Sequence, residues 1–512
     1  MQRILGKVWM AFLAMNCVLW AQPGANGALV LVNGTIIDGT GAEPILNGVL
    51  VLEGDKISAV GVVGEIEVPS EATIIDVEGQ TILPGFIDSH VHNGFTVGLR
   101  RELLVSGITA ICDLGSPISR MAEFEEGMLE DRLVSRGFRS GPIITAIGGL
   151  PDAVLKEGLN YEVGSIEEAR AAVRDLAARG ADVIKIYLHR KVGKAKYPML
   201  EPDQIEAIVE EAHAQGILVR AHVSDLELLP LAIEAGVDVI EHLPKPPIST
   251  GRYFKNLLLT FNPDRAFKKM MFPPEYDVLF PVMAEKGVIL VPTLMAGFGR
   301  FLYMEEASQN KQEVAKAVVE ITRRFHDSGG TIALGTDFNP GTRGSTVMPL
   351  EEMELLVRAG MTRGEVIEAA TRHAAYVSGH GDQLGTLEPG KLADVIVVGG
   401  NPLEDLNTLR ETVMVIKGGE IAYTPEAGVG AIYTIQLSAW ETYEEAEVEA
   451  DVLRETYGLE PLIREAYIDR LNAVWYQVRV GRYATREETE TRADEIEQMV
   501  GSEVLIDNLR ND

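Results

Sequence analysis

His90 and His92 stand one residue apart at the end of Phe86-Ile87-Asp88-Ser89-His90-Val91-His92, a short segment that follows the break at Pro84-Gly85. On an extended strand, residues i and i+2 share a face, so both imidazoles aim at one point. Two neutral imidazoles converging in this way suit a borderline cation such as zinc. By itself a His-x-His pair fits polar strand surface equally well. Its meaning depends on what else the chain brings to the same place.

The middle of the chain repeats one unit, in which a helix stops at a glycine and an apolar strand begins just after it. The instances are Gly107 before Ile108–Asp113, Gly180 before Val183-Ile184-Lys185, Gly216 before Leu218–His222, Gly236 before Val239–His242, Gly287 before Ile289–Val291 and Gly330 before Ile332–Asp337. Helix starts between them carry their own signals: Ser165 with Glu168 as a capping box, and Pro202 in a first turn. Counted with the strand at Phe86, this spacing predicts a parallel (β/α)8 TIM barrel. Four of the nine histidines, with Lys185 and Asp337, then fall at the C-terminal ends of barrel strands. That face is where such barrels hold their chemistry. His222 or His242 alone would read as a core histidine and Asp337 as a helix cap. Lys185, set between Ile184 and Ile186, needs a compensating partner in a buried strand.

Short strands and turns flank the repeat, at Ala28–Ile82 and again at Ala393–Val398 and Val413–Gly418. Together they predict one small β-sandwich domain, residues 28–83 and 384–424, with the barrel, residues 84–383, inserted into it. After Thr424 the pattern Tyr433–Trp440, followed by an acidic helix, returns at Tyr476–Tyr483 with a second helix. A duplicated strand-helix unit of this kind is a compact α+β module, residues 430–512.

At the other end, Arg3 and Lys7 precede an apolar stretch, Val8–Trp20, too short to span a bilayer comfortably. Residues 1–21 are therefore expected to be a signal peptide that exports the chain. Its removal leaves Cys112 as the one cysteine and excludes an intrachain disulfide. The net charge of −30 excludes nucleic acid as a partner, because phosphate binding needs a basic surface. A chain of 512 residues with 46% hydrophobic and 24% charged content is folded and divided into two or three domains.

Pro84–His92, Lys185, His222, His242 and Gly335-Thr336-Asp337 together resemble the amidohydrolase superfamily, in its imidazolonepropionase-like and Xaa-Pro dipeptidase (prolidase) branch. Leu384–Asp394 resembles that superfamily's return into its sheet domain. Lys185 departs from imidazolonepropionase and fits the binuclear, prolidase-like members. The resemblance implies two divalent metal ions, with zinc foremost. His90, His92 and Asp337 would hold one, His222 and His242 the other, and a carboxylated Lys185 would bridge them. A carbamate turns the lysine into a hard oxygen ligand. A hydroxide between the metals would attack the carbonyl, and Asp337 would be the catalytic residue that moves its proton to the leaving amine. The C-terminal module resembles the SPOR domain, a ferredoxin-like fold that binds peptidoglycan glycan strands. With the signal peptide, that resemblance implies a periplasmic protein.

Substrate choice rests on less. His189 and Arg190, with Lys191, Lys194 and Lys196, form a basic cluster after the fourth barrel strand, which either binds a substrate carboxylate or is a solvated loop. Tyr187 leaves the strand of Lys185 and either stabilises an oxyanion or packs. Pro244–Pro281, with Tyr253, Phe254, Phe261, Phe267 and Phe272, is a candidate lid or pocket wall. The expected reaction is hydrolysis of a peptide-like amide, in a dipeptide or N-acyl amino acid. Two other readings stand beside it: the same metals acting on a lactam, carbamate or organophosphate, and a non-catalytic wall-binding protein. Metal identity and homo-oligomerisation are left open by the sequence.

Overall fold

The computed structural model describes residues 27–508 apart from 95–96, 125–133, 156–157, 193–194, 224, 245–270, 305–306, 338–347, 426–432, 441, 458, 460, 469–472, 484–485 and 501–503. The expected signal peptide, Lys194 and four of the five aromatic residues of the expected lid (Tyr253, Phe254, Phe261 and Phe267) lie outside the described residues. The fifth, Phe272, packs against the main core. Among the described residues no helix is long and apolar enough to cross a membrane.

Strands β1 (Leu29–Ile36), β2 (Ile45–Glu53), β3 (Lys56–Val62), β4 (Thr73–Asp76) and β5 (Thr81–Pro84) open the chain. They share one eight-stranded sheet with strands from far along the sequence, Val395–Val398, Thr412–Lys417 and Glu420–Tyr423. The junction is β5, whose Leu83 pairs antiparallel with Ile396. Hydrogen bonding is continuous through this mixed sheet, in which β1 runs parallel to both β4 and β5. Alternate side chains, among them Leu29, Leu31, Val395 and Val397, fill one apolar cluster drawn from both ends of the chain.

The chain passes from β5 into the barrel through Gly85. A Cβ there would lie 2.1 Å from Thr109 Oγ1, so only glycine lets the two backbones approach. The barrel strands are β6 (Phe86–Val91), β7 (Ile108–Asp113), β8 (Arg136–Arg139), β9 (Ile143–Ala146), β11 (Val183–Leu188), β14 (Leu218–Val223), β15 (Val239–Glu241) and β16 (Ile289–Val291). β10 (Asn160–Val163) is an added parallel strand beside β9, and β12 (Lys191–Val192) and β13 (Ala195–Lys196) form a hairpin. β6 and β7 are buried along their whole length, the pattern of strands covered on both faces.

Two strands differ from the sequence expectation. The third is split into β8 and β9 around Ser140-Gly141-Pro142, so it carries neither a long apolar run nor a glycine start. The eighth, expected over Ile332–Asp337, is not a regular strand: a single bridge joins Leu290 to Ile332. Its backbone still closes the ring, because Ser89 N donates to Leu334 O at 3.2 Å and Asp337 N donates to His90 O at 2.8 Å.

The helices start and stop for local reasons. Ser165 Oγ accepts from Glu168 N at 3.2 Å, while the Glu168 carboxylate reaches back to Gly164 N rather than to the cap residue itself. The next helix begins at Pro202, and its cap residue Glu201 exchanges hydrogen bonds with Gln204. The glycines that end the helices before β11, β14, β15 and β16 all have positive φ. The long helix Gln309–Asp327 buries Val314, Val318, Ile321 and Phe325 against the barrel and leaves its charged residues outside.

The C-terminal segment forms a βαββαβ unit: Tyr433–Trp440, helix Tyr443–Tyr457, Pro461–Ile468, Ala473–Tyr483, helix Arg486–Val500 and Leu505–Asn508. The two repeated strands pair antiparallel, Tyr433 with Tyr483 and Trp440 with Tyr476. Leu505–Asn508 and Pro461–Ile468 flank them, giving the sheet order of a ferredoxin-like fold.

Candidate metal centre

Every residue expected at the centre leaves the barrel at its C-terminal face. His90 is the penultimate residue of β6 and His92 comes just after it, Lys185 lies in β11 and His222 in β14, and His242 and Asp337 come one residue beyond β15 and at the end of the eighth segment. One ligand atom from each of His90, His92 and Asp337 lies within 4.8 Å of the others. Asp337 Oδ1 is 3.0 Å from His92 Nε2 and 3.5 Å from His90 Nε2, and Oδ2 is 4.0 Å from His242 Nδ1. The His242 ring packs 5.1 Å from that of His90 and 4.6 Å from that of His222, centroid to centroid. Lys185 is buried beneath them and feels the charges of Glu241 and Asp337.

The chain takes unusual backbone turns to deliver these groups. Asn93, His242, Thr293 and Asp337 have φ between 46° and 65°, four of the seven non-glycine residues in the left-handed region among those described. A β-branched residue such as Thr293 adopts that conformation only where its surroundings impose it. Gly335 permits a further close approach, since a Cβ there would lie 2.7 Å from His90 Cβ and 2.6 Å from Val291 Cγ1.

Around the centre lies a set of buried charges that sequence reasoning did not single out. Glu241 Oε2 is 2.6 Å from His90 Nδ1, and Glu241 Oε1 accepts from Arg220 Nε at 2.6 Å. Arg220 is anchored in turn by Val377 O at 3.0 Å. Asp88 accepts from Thr336 N, Thr336 Oγ1 and His90 N at 3.0, 2.6 and 3.2 Å, tying the first barrel strand to the last. Asp113 accepts from Gly94 N at 2.9 Å and from the Ser116 hydroxyl, fixing the turn after His92.

The electrostatics favour neutral imidazoles at His90 and His242. Burial pulls His90 down to about 4 although Glu241 opposes it, and burial pulls His242 down to about 3. Burial also works downward on His92, but Asp337 outweighs it and the pKa rises. On Asp337 burial works upward and is overcome by His92, His90 and His242, which hold the carboxyl well below its usual range. Burial brings the Lys185 ammonium down to about 8. It pushes Asp88 up to about 6 and Tyr187 up to about 12. Glu241 stays ionised well below the ordinary carboxyl range, because Arg220, Lys185 and His90 outweigh its burial.

This donor set fits a cation. With Nδ1 donating to Glu241, His90 presents a bare Nε2 to Asp337 Oδ1, and two acceptors facing at 3.5 Å repel unless something positive lies between them. His90 Nε2 and Lys185 Nζ are both buried with no hydrogen-bond partner. Groups of that kind are costly unless they coordinate.

The substrate candidates separate. The Tyr187 ring stacks on His222 at 3.9 Å, and His189 lies 5.8 Å from His222, so both border the centre. Arg190 is exposed where the chain enters the β12–β13 hairpin, as are Lys191 and Lys196. None of these three basic residues lines the cleft of about 180 Å³ that opens onto His222, His242 and Asp337. Its wall is the segment after β16, with Leu294, Ala296, Gly297 and Phe298, joined by Leu243 and Val318.

Comparison with known proteins places this geometry in context. A family model described as "Amidohydrolase family" matches residues 81–422. The ochratoxinase of Aspergillus niger is 28% identical over 459 residues, covering 78% of this chain and 87% of that protein. The imidazolonepropionase of Geobacillus thermodenitrificans is 26% identical over 427 residues, 74% of this chain and 90% of its own. Among solved structures, a Xaa-Pro dipeptidase with methionine bound in its active site is 25% identical and superposes with a TM-score of 0.59, over 78% of this chain and all of its own.

Proposed function

The chain belongs to the amidohydrolase family and is a hydrolase of carbon–nitrogen bonds, and on that premise we propose that it is a binuclear metalloenzyme cleaving a peptide-like amide, in a dipeptide or an N-acyl amino acid. The observation that carries the reading is the pair of facing acceptors, His90 Nε2 and Asp337 Oδ1, beside a buried and unpartnered Lys185 Nζ. His90, His92 and Asp337 would hold one divalent ion, zinc foremost, and His222 and His242 a second, with Lys185 as a bridging carbamate. Such ions supply Lewis acidity toward the carbonyl and lower the pKa of water.

The chain's own groups do the rest. Asp337, held ionised by its histidine neighbours, accepts the proton of the attacking water at its carboxylate and delivers it to the leaving amine. Glu241 holds His90 in the tautomer whose Nε2 faces the site. Tyr187, protonated throughout the neutral range and stacked on His222, is a donor for the developing oxyanion. Lys185 separates the chain from an imidazolonepropionase activity, since a lysine at this position suits a two-metal site. The ochratoxinase and the dipeptidase are therefore the better guides to substrate.

The C-terminal βαββαβ unit, residues 430–512, we assign as a SPOR-like module that binds peptidoglycan glycan strands. Its paired, sequence-repeated strands and their ferredoxin-like order support the assignment. The basic-then-apolar residues 1–21 support export to the periplasm.

Elemental analysis of the purified protein, with turnover on Xaa-Pro dipeptides and N-acyl amino acids, tests the hydrolase. About two divalent ions per chain with turnover is the expected result. Less than one ion after reconstitution, with no turnover, refutes it. Cosedimentation with peptidoglycan sacculi tests the module separately.

A further inference from the structure

Glu352 is the least expected buried carboxylate of the barrel. It stands in the helix Leu350–Arg358 with 1% of its surface exposed. Its Oε1 accepts from Leu294 N and its Oε2 from Met295 N, both at 2.7 Å. β16 ends at Val291, so these two N–H groups have no strand partner, and that of buried Leu294 would otherwise be left unsatisfied. Two adjacent donors need two acceptors side by side. A carboxyl group supplies them whether or not it is protonated, since its hydroxyl oxygen keeps a lone pair when the proton points away, whereas a glutamine would turn its NH2 toward one donor.

What Glu352 holds is the apolar side of the cleft. Leu294 lines it directly, and Ala296, Gly297 and Phe298 continue the wall. One residue earlier, Thr293 meets His242 Nδ1 through its Oγ1 at 2.7 Å. A single turn, Thr293-Leu294-Met295, thus ties the centre to the wall, and Glu352 is its anchor. The exposed basic hairpin takes no part in the lining. A cavity of about 150 Å³ with an apolar lining accepts a benzene ring, and this cleft has about 180 Å³.

Resting on the hydrolase reading above, we propose that Glu352 is a positioning residue for an apolar subsite walled by Leu294–Phe298, which receives an uncharged aromatic or bulky aliphatic group beside the scissile amide. The occupant follows from continuity: the surface that carries the wall also carries His222, His242 and Asp337, so a group seated there places its amide at the centre. Charged side groups are disfavoured, because the described wall offers no cation to meet them.

The test uses the full-length protein, wild type, Glu352→Gln and Phe298→Ala, each checked for folding by circular dichroism and for metal by elemental analysis. Steady-state kinetics compare N-acetylphenylalanine with N-acetylasparagine, and calorimetry follows binding of phenylacetamide. We expect wild type to favour the phenylalanine substrate, Glu352→Gln to raise its KM about tenfold while kcat falls less than about threefold, and the aromatic preference to shrink by about tenfold. Phenylacetamide binding weakens in parallel, with metal content unchanged. Equal loss on both substrates in a folded, metal-replete variant overturns the subsite, as does a wild type without aromatic preference. If Glu352→Gln does not fold, Phe298→Ala must weaken phenylacetamide binding or the subsite is refuted. A protein that binds phenylacetamide through Glu352 but holds no metal and turns over nothing refutes the hydrolase reading instead.

Discussion

Glu241 bridges Arg220 and His90, one carboxylate oxygen 2.6 Å from each, at a point where none of the three side chains is more than 1% exposed. The arrangement separates charge from coordination. Arg220 holds the carboxylate in place and ionised, and the carboxylate decides which nitrogen of His90 carries the proton. An imidazole fixed in this way keeps its free lone pair on Nε2, facing Asp337.

Glu241→Gln is therefore expected to weaken divalent-metal binding about 10- to 100-fold, the usual effect of losing a ligand's hydrogen-bond partner. It also leaves Arg220 buried without its counter-charge, at a cost of about 3–5 kcal/mol in stability. Chelator competition reads the first effect and thermal denaturation the second. Unchanged affinity in the variant means that another contact sets the His90 tautomer.

Lys185→Ala removes the buried, unpartnered amine. Loss of activity and of metal is expected, since the carbamate would be the chain's own bridge between the two sides of the centre. A small carboxylate would offer the same two oxygens, so added formate or acetate should restore part of both. Full metal content in Lys185→Ala without any addition contradicts the bridge.

At Gly335 a methyl group meets the Cβ of His90 and the side chain of Val291 at under 3 Å. Gly335→Ala should cost about 1–3 kcal/mol through overpacking, and it should lower metal affinity with it because His90 must shift. Measuring melting temperature and metal content on the same preparation checks this. A stable variant with reduced metal content is still consistent, whereas one with neither change is not.

Glu352 gives a pH dependence of defined sign. Burial pushes its carboxyl up from 4.5 to about 8, against two backbone donors. Between those values the folded protein carries a proton that the unfolded chain has lost, so this group's contribution to stability falls as pH rises. Glu352→Gln has no such term. The gap in melting temperature between wild type and variant should narrow from pH 5.5 to pH 8, and a constant gap would sink the assignment.

The parts of the barrel legible in the sequence were those where a helix-ending glycine precedes an apolar strand, as at Gly180 before Lys185 and Gly216 before His222. Where the physics is not periodic the reading fell short. The third strand breaks at Ser140-Gly141-Pro142, and the eighth is held by Ser89 and His90 rather than by a regular ladder. Nor does the strand pattern reveal that β4 and β5 both lie parallel to β1.

In the site, the histidines, Lys185 and Asp337 are brought together because each lies in or just beyond a strand of one ring. Arg220 was in plain view between Val219 and Ala221, the signal used for Lys185, and Glu241 follows the apolar pair Val239-Ile240. That search, extended to every charged residue beside apolar ones in the predicted strands, finds both. Glu352 gave no such signal, because a glutamate on an acidic helix face looks solvated until Leu294 and Met295 are seen above it.

The seam where the barrel closes, Ser89 to Leu334 and His90 to Asp337, coincides with the grouping of His90, His92 and Asp337. A cation held there would cross-link the first barrel strand to the last, across most of the barrel's sequence. Tying a loop of that length removes much of the unfolded chain's freedom, as a disulfide does. In a protein whose described residues include one free, buried cysteine, the ion would serve as the clasp of the fold as well as the tool of the reaction. Stripping it should then open the ring at its weakest seam and expose the chain to proteases before the sheet domain melts.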